Sequence, residues 1–147
     1  ENERFMRLAL RQAQFCVRAE EVPVGAVVVD GNGDVLSTAR NRVEAQHDAS
    51  AHAEIAALRA AAAVRGGWRL LDCTLYTTLE PCAMCAAAAL QFRVARVVYG
   101  ARDERLGGLG SWTSLNDDHP FHKMEVTGGV LEEESSRLIR GFFADRR

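Results

Sequence analysis

Residues 72–101, "DCTLYTTLEPCAMCAAAALQFRVARVVYGA", alternate between two backbone periods. "DCTLYTTL" is β-rich, "PCAMCAAAALQF" reads as a helix with Pro81 near its start, and "ARVVYGA" is β-rich again. Two strands separated by one helix rejoin a sheet in parallel, through a right-handed crossover. The rest of the chain supplies both layers around that unit. Residues 3–19 set Phe5, Met6, Ala9, Leu10, Ala13, Cys16 and Val17 at helical spacing. "VPVGAVVVD-GNG-DVLSTA" predicts a hairpin about a Gly-Asn-Gly turn. "SAHAEIAALRAAAAV" predicts a helix capped by Ser50 and ended by Gly66-Gly67. After a Gly-rich loop over 104–121, "KMEVTGGVL" is a short strand and turn, and a last helix starts near Glu132 with three acids in its first turn. The fold class is therefore α/β, one mixed central sheet with helices on both faces in a three-layer α/β/α arrangement.

The chain has 147 residues, 48% apolar and 26% charged, which suits one globular domain over residues 1–147. No apolar run approaches the roughly 18 residues of a membrane span. The N-terminal stretch has neither the basic start nor the apolar core of a secretory signal. Four cysteines are too few for a disulfide scaffold at this length, so a reducing compartment is expected. The net charge of −2 provides no overall basic field for a polyanion. Local arginines must do that work, either Arg4, Arg7, Arg11 and Arg18 or Arg137, Arg140, Arg146 and Arg147.

A CxxC pair such as Cys82 and Cys85 is ambiguous by itself: a redox dithiol, half of a structural zinc site, or chance. A structural site closes four protein ligands, and this chain has no second CxxC or HxxxH to complete one. Cys16 and Cys73 lie singly in apolar elements and read as core filling. The partner that matters is "HAE", residues 52–54. His52 is expected in the first turn of its helix, as Cys82 and Cys85 are in theirs. Helices that follow strands begin at one edge of an α/β sheet, so two such starts can meet. One imidazole and two thiolates leave a zinc ion its fourth position for water, the pattern of a catalytic site. Helix N-termini favour the thiolate form. Glu54 can reach the same water without being a ligand and carry its proton. The plain alternative is that Glu54 only complements the helix dipole.

"HAE" followed by "PCAMC" matches the signature already established for zinc-dependent nucleobase deaminases, H-x-E and then P-C-x-x-C. The resemblance runs further, through "EVPVGAVVV", "ARNRVEAQHDASAHAEI", "RLLDCTLYTTLEPCAMC", "VVYGARD" and "FFADRR", and is to the tRNA adenosine deaminases. It implies a cytidine deaminase-like fold, one zinc ion (Zn2+) per subunit, and hydrolytic conversion of adenosine to inosine at the wobble position (A34) of a tRNA anticodon stem-loop. It also implies a homodimer and no membrane association. By matching position it makes His52, Cys82 and Cys85 the zinc ligands and Glu54 the proton shuttle. Asn41 and the Ala53 backbone amide become base contacts, and Asp103 a contact to the RNA near the target. Phe142, Phe143, Arg146 and Arg147 become the terminal helix along the flipped-out nucleotides. Bland readings stand beside these: Asn41 a turn residue, Asp103 a strand-end cap, Phe142 or Phe143 core. Of the adjacent phenylalanines, one is expected inward and one outward.

"HPFH" in the 104–122 loop resembles plastid versions of the enzyme, so the expected compartment is a bacterial cytoplasm or a plastid stroma after removal of a targeting peptide. His119, His122 and His47 read as loop residues rather than ligands. Two rival functions share the motifs: a deaminase of free nucleobases or nucleosides (guanine, cytosine or cytidine), and a non-catalytic zinc-containing tRNA-binding subunit.

Overall fold

Glycine at position 25 lets the first helix lie directly on the first strand. A Cβ there would overlap the Ala9 carbonyl oxygen and stand 2.7 Å from the Ala13 nitrogen. The computed structural model, which describes residues 1–146, runs α1 (Asn2–Arg18), β1 (Gly25–Val29), β2 (Val35–Arg40), α2 (Val43–Gln46), α3 (Ala53–Arg65), β3 (Thr74–Leu79), α4 (Ala83–Gln91), β4 (Arg96–Ala101), α5 (Leu115–Asp118), β5 (Glu125–Thr127) and α6 (Glu132–Ala144). The strands form one sheet in the order β2-β1-β3-β4-β5. The first two pairings are antiparallel, and β3–β4 and β4–β5 are parallel, so the sheet is mixed as expected.

Alternation along the buried strands makes two cores. Ala26, Val28, Leu75 and Val97 face α3 and α4, meeting Ala57, Leu58, Ala61, Ala89 and Leu90. Val27, Val29, Tyr76 and Val98 face the other way, onto Phe5, Met6, Ala9 and Leu10 of α1 and Leu138 of α6. Burying one such aliphatic or aromatic side chain contributes about 1.5–3 kcal/mol. That outweighs the weak end of α1, whose N-cap Glu1 makes no side-chain capping bond.

Three local expectations change. The α3 helix begins at Ala53 with His52 as its N-cap, and Ser50 instead donates its hydroxyl to Asp48 in the preceding turn. Cys82 is likewise the N-cap of α4 rather than a member of its first turn. The Gly-rich loop contains the short helix α5, held where Asn116 exchanges hydrogen bonds with the Met124 backbone.

The two ends of the β1–α3–β3 segment are tied by Asp72. Its carboxylate accepts from Arg65 at 2.8 Å and from the Gly31 amide at 3.0 Å. The Arg65 guanidinium foremost, then that amide, hold the carboxyl down to about 2. A depressed carboxylate stabilises the fold above its unfolded value of 3.8, and that stability is lost as pH falls towards 2. The side chain is half exposed, so screening leaves about 0.2–1 kcal/mol. Asp72→Asn is expected to lower the Tm by about 1–4 °C at pH 7, with the gap closing near pH 2. Paired thermal melts across that range check it.

Candidate active site

The strand-to-helix turn at Glu80–Pro81 and the loop before α3 bring their helix starts together. His52 Nδ1 lies 3.6 Å from Cys82 Sγ and 3.4 Å from Cys85 Sγ, and the three donor atoms all fall within 4.8 Å of one another. Tetrahedral zinc bonds of about 2.3 Å to sulfur and 2.0–2.1 Å to nitrogen require N–S separations of about 3.5 Å. The donor set therefore fits zinc in both chemistry and spacing. It is the one His/Cys/Asp/Glu cluster of this kind among the described residues.

Both ligand-bearing caps are extended, with ψ of 150° at His52 and 173° at Cys82, and neither side chain caps its own helix. Each is thus free to point at its neighbour. Asn41 takes over the capping of α3: its Oδ1 accepts from the Ala53 amide at 2.8 Å. The two expected base contacts are brought together, and the Asn41 side-chain nitrogen has no partner among the described residues. Asn41 is itself buried, with the Cys16 thiol against its carbonyl.

Cys82 is held down to about 4, because the Cys85 thiol donates to its sulfur and outweighs burial. Cys85 is pushed up by the same bond and by its own burial. The hydrogen bond to Cys82 raises His52. Glu54, 4% exposed in the first turn of α3, is pushed up to about 7, chiefly by burial. A carboxyl poised there can both take and give a proton near neutrality.

The remaining expected residues divide. Asp103 is half-buried, and its Oδ1 accepts from the Arg105 and Leu106 amides, so it shapes its own turn. Phe142 is buried at 5% and Phe143 exposed at 41%, in edge-to-face contact, which is the expected split. Arg146 stacks its guanidinium 3.7 Å from the Phe142 ring centroid and pairs with Glu20. Arg147 lies outside the described residues. His119 accepts from the Phe121 and His122 amides, and His122 bonds the Val94 carbonyl, so both histidines organise their loop. His47 is an exposed αL cap of α2.

Sequence reasoning passed over two buried carboxylates. Glu21 accepts from the Glu44 and Ala45 amides, fixing the loop after Asn41. Glu80 accepts from the segment after β4. For Glu80 the available signal was an acid closing an apolar, β-rich run, where burial demands partners; Glu21, in the turn after α1, carried no such signal.

An open three-donor set beside a buried carboxylate is the arrangement of a zinc-dependent hydrolytic enzyme. The family model described as the cytidine and deoxycytidylate deaminase zinc-binding region matches residues 1–101. A tRNA-specific adenosine deaminase of Haemophilus influenzae is 46% identical over 147 residues, covering 99% of this chain and 85% of the relative. The chloroplastic tRNA(adenine(34)) deaminase of Arabidopsis thaliana is 42% identical over 97% of this chain, which spans 12% of that longer protein. Among solved structures, one from work on A-to-I editing by tRNA:A34 deaminases at the wobble position of transfer RNA superposes with a TM-score of 0.87 at 41% identity, covering 92% of this chain and 98% of the other. A guanine deaminase from Nitrosomonas europaea gives 0.84 at 26% identity, covering 97% and 84%. The chain belongs to the zinc-binding cytidine and deoxycytidylate deaminase family and, within it, to the tRNA-specific adenosine deaminases. No helix is long and apolar enough to cross a membrane among the described residues.

Proposed function

We propose that residues 1–147 act as a single deaminase domain that hydrolyses adenosine to inosine at the wobble position (A34) of a tRNA anticodon, with one zinc ion per subunit. The observation that carries this is the buried Glu54 set in the helical turn that follows a metal-binding His52, with Cys82 and Cys85 closing the donor set. His52, Cys82 and Cys85 hold the metal, which when bound supplies Lewis-acid activation of water. Glu54 takes the proton of the attacking water and passes it to N1 as oxygen adds at C6. It then takes the proton of the new C6 hydroxyl and delivers it to the amine as the C6–N bond breaks and the C6 carbonyl forms, so that water is consumed and ammonia leaves. The Asn41 side-chain nitrogen holds the base edge, and the Ala53 amide, whose N–H goes to Asn41 Oδ1, orients that side chain instead of meeting the base itself. Asp103, Phe143 and Arg146 lie along the splayed nucleotides, and the resemblance assigns the same role to Arg147, outside the described residues. An anticodon loop suits such a site because its bases are already partly unstacked. Similarity at 40–46% identity over nearly the whole chain to relatives named tRNA-specific adenosine deaminase favours tRNA over a free base.

The homodimer expected of the family belongs to the same proposal, with Met84 exposed on the outward side of α4. The setting is read as a bacterial cytoplasm or a plastid stroma, the second supported by the chloroplastic relative.

Mass spectrometry of an anticodon stem-loop before and after incubation with zinc-loaded protein is expected to show the one-dalton gain of inosine. Light scattering on the same sample should return twice the 16.1 kDa chain mass. Ammonia from free guanine or cytosine with an untouched stem-loop would replace this reading with a free-base deaminase. Tight tRNA binding without any deamination at full zinc occupancy would make the chain a non-catalytic subunit.

A further inference from the structure

Glu80 is the residue before Pro81 and is only 1% exposed, yet its carboxylate meets no Lys, Arg or His among the described residues. The hydrogen-bond donors to its side chain all lie on the segment after β4. One oxygen accepts from the Asp103 amide at 3.1 Å and from the Ser111 hydroxyl. The other accepts from the Leu109 amide at 3.1 Å and the Ser111 amide at 3.2 Å. Arg102 Nε donates in turn to the Ser111 hydroxyl. A carboxylate, which only accepts, is the side chain that fits this set; a carboxamide would turn an NH2 towards N–H groups.

The segment it holds lies on the metal-ligand turn itself. Gly107 bridges to Cys82, and the Gly108 amide donates to the Pro81 carbonyl at 2.7 Å. A Cβ on Gly107 would overlap the Glu80 carboxylate, and one on Gly108 would stand 2.9 Å from Ala83 Cα. Glycine at both places permits the close approach, and the carboxylate then fixes it at three points spread over nine residues, Asp103 to Ser111.

We infer that Glu80 is a positioning residue: it locks the 103–111 segment to the Pro81–Cys82 turn and so sets where Asp103 meets the substrate relative to the zinc site. The inference rests on the wobble-deaminase reading for its substrate and on geometry alone for the locking. A misplacement of about 1 Å in a positioning group can cost about 100-fold in rate, so the link has kinetic weight.

The test uses the zinc-loaded chain of residues 1–147. Glu80→Gln is expected to keep its zinc and its protected α3 and α4 amides, while hydrogen exchange speeds up at Asp103, Leu109 and Ser111. On the anticodon stem-loop, kcat/KM should fall about 10- to 100-fold, mainly through KM. Asp103→Ala should cost much less in the Glu80→Gln background than in wild type, because one step already displaces what the other removes. Glu80→Asp should recover part of the loss. Ser111→Ala, which deletes one donor and leaves the backbone amides, should give a smaller change in the same direction and serves if Glu80→Gln fails to fold. Unchanged exchange in the segment, or an effect fully additive with Asp103→Ala, overturns the inference. A wild-type protein inert on the stem-loop sinks the substrate reading and the kinetic role with it, and is told apart because the exchange result is independent of substrate.

Discussion

Glu54→Gln is expected to lower kcat for inosine formation by about 10²- to 10⁴-fold, with zinc content and fold intact. The side chain lies 4% exposed in the first turn of α3, near the Cys85 thiol and Thr77. Glutamine has the same shape and can occupy the same space. It has no titratable proton to accept from water or to return to the ring and the leaving amine. Stability should not suffer, since burying a carboxylate carries a desolvation cost that a neutral carboxamide largely avoids. Zinc stoichiometry by mass spectrometry, thermal melts and single-turnover kinetics separate the outcomes. A variant retaining most of its turnover would remove Glu54 from the chemistry. A variant that lost zinc or melted early would make the residue structural.

Cys85→Ala should abolish both metal retention and turnover. Cys85 is completely buried in the first turn of α4, and its sulfur lies 3.4 Å from His52 Nδ1. With it gone, two donors remain, too few for a catalytic zinc site. The loss extends to stability, because a metal bound only by the folded state stabilises it by RT ln(1 + [L]/Kd), about 4 kcal/mol at a thousandfold excess over Kd. At roughly 2–4 °C per kcal/mol for a chain of this size, the Tm should drop by about 8–16 °C, and a chelator should do the same to the wild type. The cores around α1, α3 and the sheet contain none of the three ligands, so secondary structure by circular dichroism should survive at 25 °C. Full zinc stoichiometry in Cys85→Ala would show that the metal is held elsewhere.

The elements were readable because their causes are local. Apolar spacing over 3–19 predicts α1, which runs Asn2–Arg18, and Gly66 ends α3 in the αL conformation that its lack of a Cβ allows. The strand–helix–strand run predicts the parallel β3–β4 pair. The zinc donors were legible for a related reason: HAE and PCAMC each sit at a helix start, and α/β topology collects helix starts at one sheet edge. Ser50 misled because an N-cap serine and a turn serine share the same local chemistry, and only the tertiary placement of Asn41 at the Ala53 amide leaves Ser50 to Asp48 in the turn.

What sequence alone determined, then, is the layer order, the helix starts and which side chains can bind metal, since each follows from spacing a few residues long. Tertiary structure decided the rest. It brought His52 onto thiols 30 and 33 residues away and made Asn41 the cap of a helix twelve residues on. It also turned Glu80 into the clasp of a segment 23 to 31 residues further along. Such partners are chosen when a packed sheet excludes water and each buried donor or acceptor must be satisfied by whatever the fold has carried beside it.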